Sequence, residues 1–303
     1  MLNIGKNLKY FFLLPALLSI LALAALLMWG LRPGIDLAGG SLLQVTYPNG
    51  RPPVAEVQAV VDKLGLGEVR IQPTGTNDYI LSQRDLSNQE KNQLEAVLGG
   101  FGQFQEDQFN SVGPVLGAEL LDKGLISLGL VVICIILFIA FAFRKVSKPV
   151  ASWKYGIVAI ITLLFDVLIP VGVFAALGHF QGAEVDSLFI VALLTILGIS
   201  INDKIVVFDR IRENLQLNNG RHMDFADTVS KSIRQTLARS INTSLTVVIM
   251  LLALYFFGPA STQVFALTLT VGMIVGTYSS IFFASPLLVA WDQWSRSSSA
   301  KKK

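Results

Sequence analysis

The 303 residues are 52% hydrophobic and only 15% charged, with a net charge of +3 and a mean hydropathy of +0.59. A soluble globular domain carries about 25% charged residues, so this balance excludes an ordinary soluble fold and marks a multi-span membrane protein. The lone Cys134 excludes an intramolecular disulfide framework, and His179 and His222, far apart and without nearby cysteine, give no metal-ligand spacing.

Lys6 and Lys9 precede Tyr10–Gly30, an uncharged run of 21 residues. At about 1.5 Å per residue that run crosses the roughly 30 Å hydrocarbon core. Its apolar stretch is too long for a signal peptide, and no small-x-small cleavage site follows, so it is read as a retained first span.

Residues 31–122 form the one long polar stretch and have domain character. Ser41–Tyr47 reads as a strand, and Pro53–Leu64 as a helix with Val54, Val57, Val60, Val61 and Leu64 at helical spacing. Val69–Gln72 and Asp78–Ser82 are short strands separated by the turn-rich PTGTN. Ser87 followed by Glu90 forms a capping box that opens a second helix over Asn88–Leu98, and Gln103–Val112 closes the set. The order β-α-β-β-α-β predicts a ferredoxin-like domain. It carries no cluster of catalytic residue types, which favours a structural or protein-binding role over an enzyme.

Five further apolar runs follow: Gly124–Phe143, Tyr155–Leu177, Ser187–Phe208, Asn242–Phe257 and Gln263–Trp291. The chain therefore divides into 1–30 (cytoplasmic end and first span), 31–122 (the domain), 123–291 (spans two to six) and 292–303 (a tail). Within 123–291 a cytoplasmic surface helix is expected over about 209–239, leading directly into the fifth span. The Ser-rich, lysine-ended tail is expected to be disordered. Positively charged loops stay in the cytoplasm. The 144–154 loop has 4 basic residues and no acid, whereas 31–122 has 6 basic against 12 acidic. Both ends are thus expected inside and the domain outside, which six spans also require.

The segment GISINDKIVVFDRIREN, residues 198–214, carries charge into an apolar run. A charged side chain within a span costs several kcal/mol unless partnered or hydrated, so it points to function. Asp203 is one candidate, and Arg239 in LARSINTS could be its positive partner, a carboxylate exchanging its proton for an arginine contact. Ser200, Asn202 and Asn242 supply hydrogen-bonding groups that could hold water nearby, and Lys204 sits beside the acid. Asp166, with eleven uncharged residues on either side, is the deepest carboxylate. A carboxyl group at that depth could serve proton binding and release. It can equally be a packing hydrogen bond between helices. Gly39 and Gly40 allow a tight backbone turn and a hinge at the exit of the first span. No catalytic set and no metal ligands stand out.

GIDLAGGSLLQV after the first span, VGPVLGAEL before the second, GISINDKIVVFDRIREN and TLARSINTS together resemble the SecF family of protein-export membrane subunits, in order and spacing over essentially the whole chain. The resemblance implies an RND-type half-transporter of six transmembrane helices with one external ferredoxin-like domain, in the cytoplasmic (inner) membrane. It implies SecD as the complementary subunit, with SecYEG, YajC and the preprotein as further partners, and no nucleic acid. It implies no cofactor: the coupled species is H⁺, with Na⁺ the alternative cation. The family's motifs assign proton movement to the positions of Asp203 and Arg239. This chain departs from them with Lys204 for the usual threonine, Ile199 for tyrosine, and Phe165 for the histidine that often precedes Asp166. A small-molecule or lipid efflux subunit of the same superfamily is the rival, and it would carry larger external domains with apolar pockets. A purely structural scaffold would leave Asp166, Asp203 and Arg239 without purpose.

Overall fold

The computed structural model describes residues 8–142, 152–217 and 224–300. The first helix, α1 (Leu8–Trp29), is apolar nearly all round and tolerates Pro15 near its start. Arg144, Lys145, Lys148 and Lys301–Lys303 lie outside the described residues.

One compact unit comprises Leu31–Ile126 and Gly178–Leu188. After the single-turn α2 (Ile35–Ala38), Gly39 and Gly40 take φ of +79° and +150° and turn the chain into β1 (Gly40–Thr46). Next come α3 (Val54–Val61), a short 3₁₀ turn ended by Gly65, β2 (Arg70–Thr74) and β3 (Asp78–Gln83). Finally α4 (Asn88–Gly99) and β4 (Gln105–Val112) complete the expected β-α-β-β-α-β order. The sheet is antiparallel throughout, in the order β2-β3-β1-β4, with a bulge at Gln44/Val45. Alternate residues Leu43 and Val45 of β1, with Tyr79 and Leu81 of β3, are fully buried beside Val57 and Val61 of α3 and Leu94 and Leu98 of α4. The period of two in the strands and three to four in the helices makes that one core. The Ser87 hydroxyl accepts from the Glu90 amide at 3.4 Å and the Glu90 carboxylate from the Ser87 amide at 2.9 Å, closing the box read from sequence.

The 178–188 connection is stitched to this unit. Gly34 N–H donates to the Val185 carbonyl at 2.8 Å, and Val185 N–H to the Arg32 carbonyl at 2.8 Å. Gln72 donates to the Gly182 carbonyl at 2.6 Å, Ser187 to Asp36 at 2.7 Å, and Arg70 pairs with Glu184 at 3.2 Å. Burial pushes the Glu184 carboxyl above its ordinary range, and Arg70 opposes the rise.

The other unit takes in α1, Ser127–Leu177 and the chain from Phe189 onward. The long helices that supply most of it are α5 (Pro114–Ala142), α6 (Ser152–Gln181), α7 (Ser187–Leu217) and α8 (Phe225–Phe257). The last span is α9 (Ala260–Ser279), a π turn (Ser280–Ala284) and α10 (Ser285–Ala300). With α1 these make six helices, among the described residues, long and apolar enough to cross a membrane. Gly172 of α6 lets Ala22 of α1 approach so closely that a Cβ there would lie 2.5 Å from the Ala22 Cα.

Pro114 stands at the first helical position of α5, where its missing N–H costs nothing. Two expectations differ from what is found. Among the described residues, 209–239 makes no separate surface helix: 209–217 continues α7 and 225–239 begins α8. The reason is mutual burial. Val207, Phe208 and Ile211 share one apolar cluster with Phe225, Val229 and Ile233, and Asn214 donates to Ser232 and Gln235 at 2.8 Å. The tail expected to be disordered is helical to Ala300, because α10 simply runs on from the membrane span.

Candidate functional site

The site lies where α6, α7 and the end of α9 meet. Asp166 is fully buried on α6, and Lys204, also fully buried, reaches it from α7 to form an ion pair. Ser200 precedes Lys204 by four residues, so both point to the same face of α7. The Lys204 ammonium donates to Asp166 Oδ2, to Ser200 Oγ at 2.6 Å and to Ser279 Oγ at 3.1 Å. Its three N–H donors thus meet three oxygens. Ser200 in turn donates to the same Oδ2 of Asp166, while Oδ1 is buried without a hydrogen-bond partner among the described residues.

Ser279 ends α9 immediately before the π turn. Ser280 opens that turn and its hydroxyl donates to the Thr277 carbonyl at 2.9 Å, while the Ser279 hydroxyl accepts from Lys204. π turns recur at functional positions because they re-aim side chains within a helix. Asp203 is partly buried and lines a small cavity with Ser200, Gly272, Gly276 and Thr277. Gly272 and Gly276 leave α9 bare where Ile196 and Ser200 of α7 press on it.

The residues singled out from sequence are therefore only partly assembled. Asp166, Ser200 and Lys204 form one network, and Asp203 borders it through Ser200. Arg239 is exposed and forms no ion pair with Asp203 among the described residues. Asn202 and Asn242 are exposed. Gly39 and Gly40 do form the tight turn. A Cβ on Gly39 would fall 2.5 Å from the Pro114 Cα, and one on Gly40 would strike the Gln83 carbonyl, so the turn is close-packed on both sides. Sequence reasoning missed Ser279 and Ser280, for which a polar pair inside an apolar run was the available signal.

A six-span helical bundle with a ferredoxin-like domain and a charge network buried between spans defines an RND-type membrane subunit. The profile of the family described as "Protein export membrane protein SecD/SecF, C-terminal" matches residues 93–294. The chain is 42% identical to the protein translocase subunit SecF of Thermobaculum terrenum, covering 96% of this chain and 94% of that one. It is 39% identical to the SecF subunit of Synechocystis, covering 93% and 90% respectively. The crystal structure of SecDF from Thermus thermophilus superposes with a TM-score of 0.83 at 33% identity over 97% of this chain. The match spans only 39% of that longer SecDF chain. This chain belongs to the SecF family of protein translocase subunits.

Proposed function

We propose that this subunit joins SecD in the cytoplasmic membrane and uses the proton motive force to promote preprotein export through SecYEG. The observation that carries the reading is the pairing of Asp166 with Lys204 deep between spans, next to a second carboxylate, Asp203. Charges at that depth are costly, and their retention marks an ion path or a moving part. Asp203 and Arg239 are the coupling pair in this reading, and Asp166 is the buried counter-charge that completes the relay. The SecDF chain, described as translocon-associated, is more than twice as long, and in this reading SecD supplies the remaining part.

The positive loops put both ends in the cytoplasm and the ferredoxin-like domain outside, in position to hold an emerging polypeptide. The Asn202, Arg239 and Asn242 side chains, exposed on this single chain, are available to a second subunit. The role is mechanical and non-catalytic, with YajC an accessory partner.

The test uses inside-out vesicles carrying this chain, SecD and SecYEG. Completion of preprotein export is followed with and without a proton gradient, for wild type and Asp203→Asn. Loss of the gradient's benefit with ATP-driven initiation intact supports the reading, and full benefit in the variant refutes the role of Asp203.

A further inference from the structure

Three oxygens surround the Lys204 ammonium: Oδ2 of Asp166 and the hydroxyls of Ser200 and Ser279. The other carboxylate oxygen, Asp166 Oδ1, is buried without a hydrogen-bond partner among the described residues. One carboxylate with two hydroxyls is a hard-oxygen set of the kind that binds non-transition cations. Its formal charge is that of one carboxylate, so a monovalent cation neutralises it. A divalent ion would leave a net charge buried among apolar helices, at heavy cost. The occupant present is already monovalent, and it is part of the chain.

We propose that Lys204 is a tethered cation. Its ammonium fills an oxygen site that would otherwise take a monovalent metal ion such as Na⁺, and so it determines which cation this subunit exchanges. A free ion must shed its water and binds in proportion to its concentration. The ammonium is attached one turn beyond Ser200 and cannot diffuse away. The adjacent Asp203 lines the small cavity beside Gly272 and Gly276 instead. The proton is then the cation left to exchange. This inference rests on the cation-coupling reading above.

Two measurements test it on the full-length chain. In the first, unfolding midpoints of the purified protein are compared in NaCl and in choline chloride at equal ionic strength. Wild type should show no Na⁺-specific shift. Lys204→Thr should gain a rise of several degrees, as expected for a ligand that binds only the folded state, and adding Asp166→Asn should abolish it. A Na⁺-specific shift in wild type, or none in a folded Lys204→Thr, overturns the proposal.

In the second, wild-type vesicles with SecD and SecYEG receive either a proton gradient or a sodium gradient with protonophore present. Assistance by protons alone supports the proposal even if Lys204→Thr does not fold, and assistance by sodium overturns it. If neither gradient assists, the coupling reading fails, and the wild-type salt comparison still decides whether the lysine keeps Na⁺ out.

Discussion

Lys204 and Asp203 are neighbours in sequence, yet they serve different sides of α7. Lys204 is fully buried against Asp166 and Ser279, while the partly buried Asp203 lines a cavity beside Thr277. A rotation of about 100° per residue along the helix separates them. One charge thereby belongs to the buried pair, and the other to the small cavity lined by Gly272 and Gly276.

Removing one partner of the buried pair should be far worse than removing both. Asp166→Asn leaves an ammonium without its counter-charge and should cost about 3–5 kcal/mol. Replacing the pair together, as Asp166→Leu with Lys204→Met, should recover most of that loss. Denaturant titration of the detergent-solubilised chain, run as a double-mutant cycle, measures the difference. Equal losses in single and double variants would show that the two side chains do not act on each other.

The α1–α6 contact depends on Gly172. Alanine in a helix normally gains about 1 kcal/mol over glycine. Here the new methyl would meet the Ala22 backbone, with its Cα at 2.5 Å and its carbonyl oxygen at 2.8 Å. Backbone cannot rotate aside, so the clash wins and Gly172→Ala should destabilise by about 1–3 kcal/mol. The midpoint of detergent-induced unfolding checks the sign.

Gly40 makes a similar demand at a turn. Its φ of +150° is rarely adopted by side-chain-bearing residues, and a Cβ would collide with the Gln83 carbonyl. Gly40→Ala should loosen the start of β1, seen as faster amide exchange at Ser41 and Leu42. Gly50, whose φ is +107° with open space around it, provides the comparison. Gly50→Ala should cost only its backbone strain and leave β1 exchange unchanged.

Glu90 gives the ferredoxin-like domain a pH dependence. Hydrogen bonds from Arg84, and from the Ser87 amide and hydroxyl, hold its carboxyl at about 2, against an ordinary value of 4.5. The folded state therefore binds its proton less readily than the unfolded chain. The stabilisation is complete above about pH 4.5 and lost as pH falls through about 2. Glu90→Gln should flatten that part of the stability curve, measured by circular dichroism of wild type and variant at each pH. Identical slopes would mean that the box and the Arg84 contact contribute nothing in solution.

Local signals carried the domain and the spans. Ser87 and Glu90 are three residues apart, so their cap is written in one helical turn, and the apolar runs declare themselves by length alone. The pairing of Asp166 with Lys204 was not legible, because it joins residues 38 apart whose meeting depends on how α6 and α7 are rotated. An unpartnered acid and an unpartnered base in separate apolar runs were the only hint. Likewise, the charged DRIREN segment looked like a surface helix until Ile211 was found buried in the same apolar cluster as Phe225 and Val229. The π turn has no periodic signature, because it is an extra residue accommodated within a helix rather than a change in pattern.

Short loops between spans are the usual places to insert a tag or a reporter. The one between α6 and α7 is a poor choice despite its length. Val185 both donates to and accepts from the strand-like segment at Arg32–Gly34, and Gly182 and Glu184 are held from β2. Extra residues there would break backbone pairing before they added any slack. An engineer seeking an accessible site on this chain is better served by the turn at Gly50, where the backbone has open space around it.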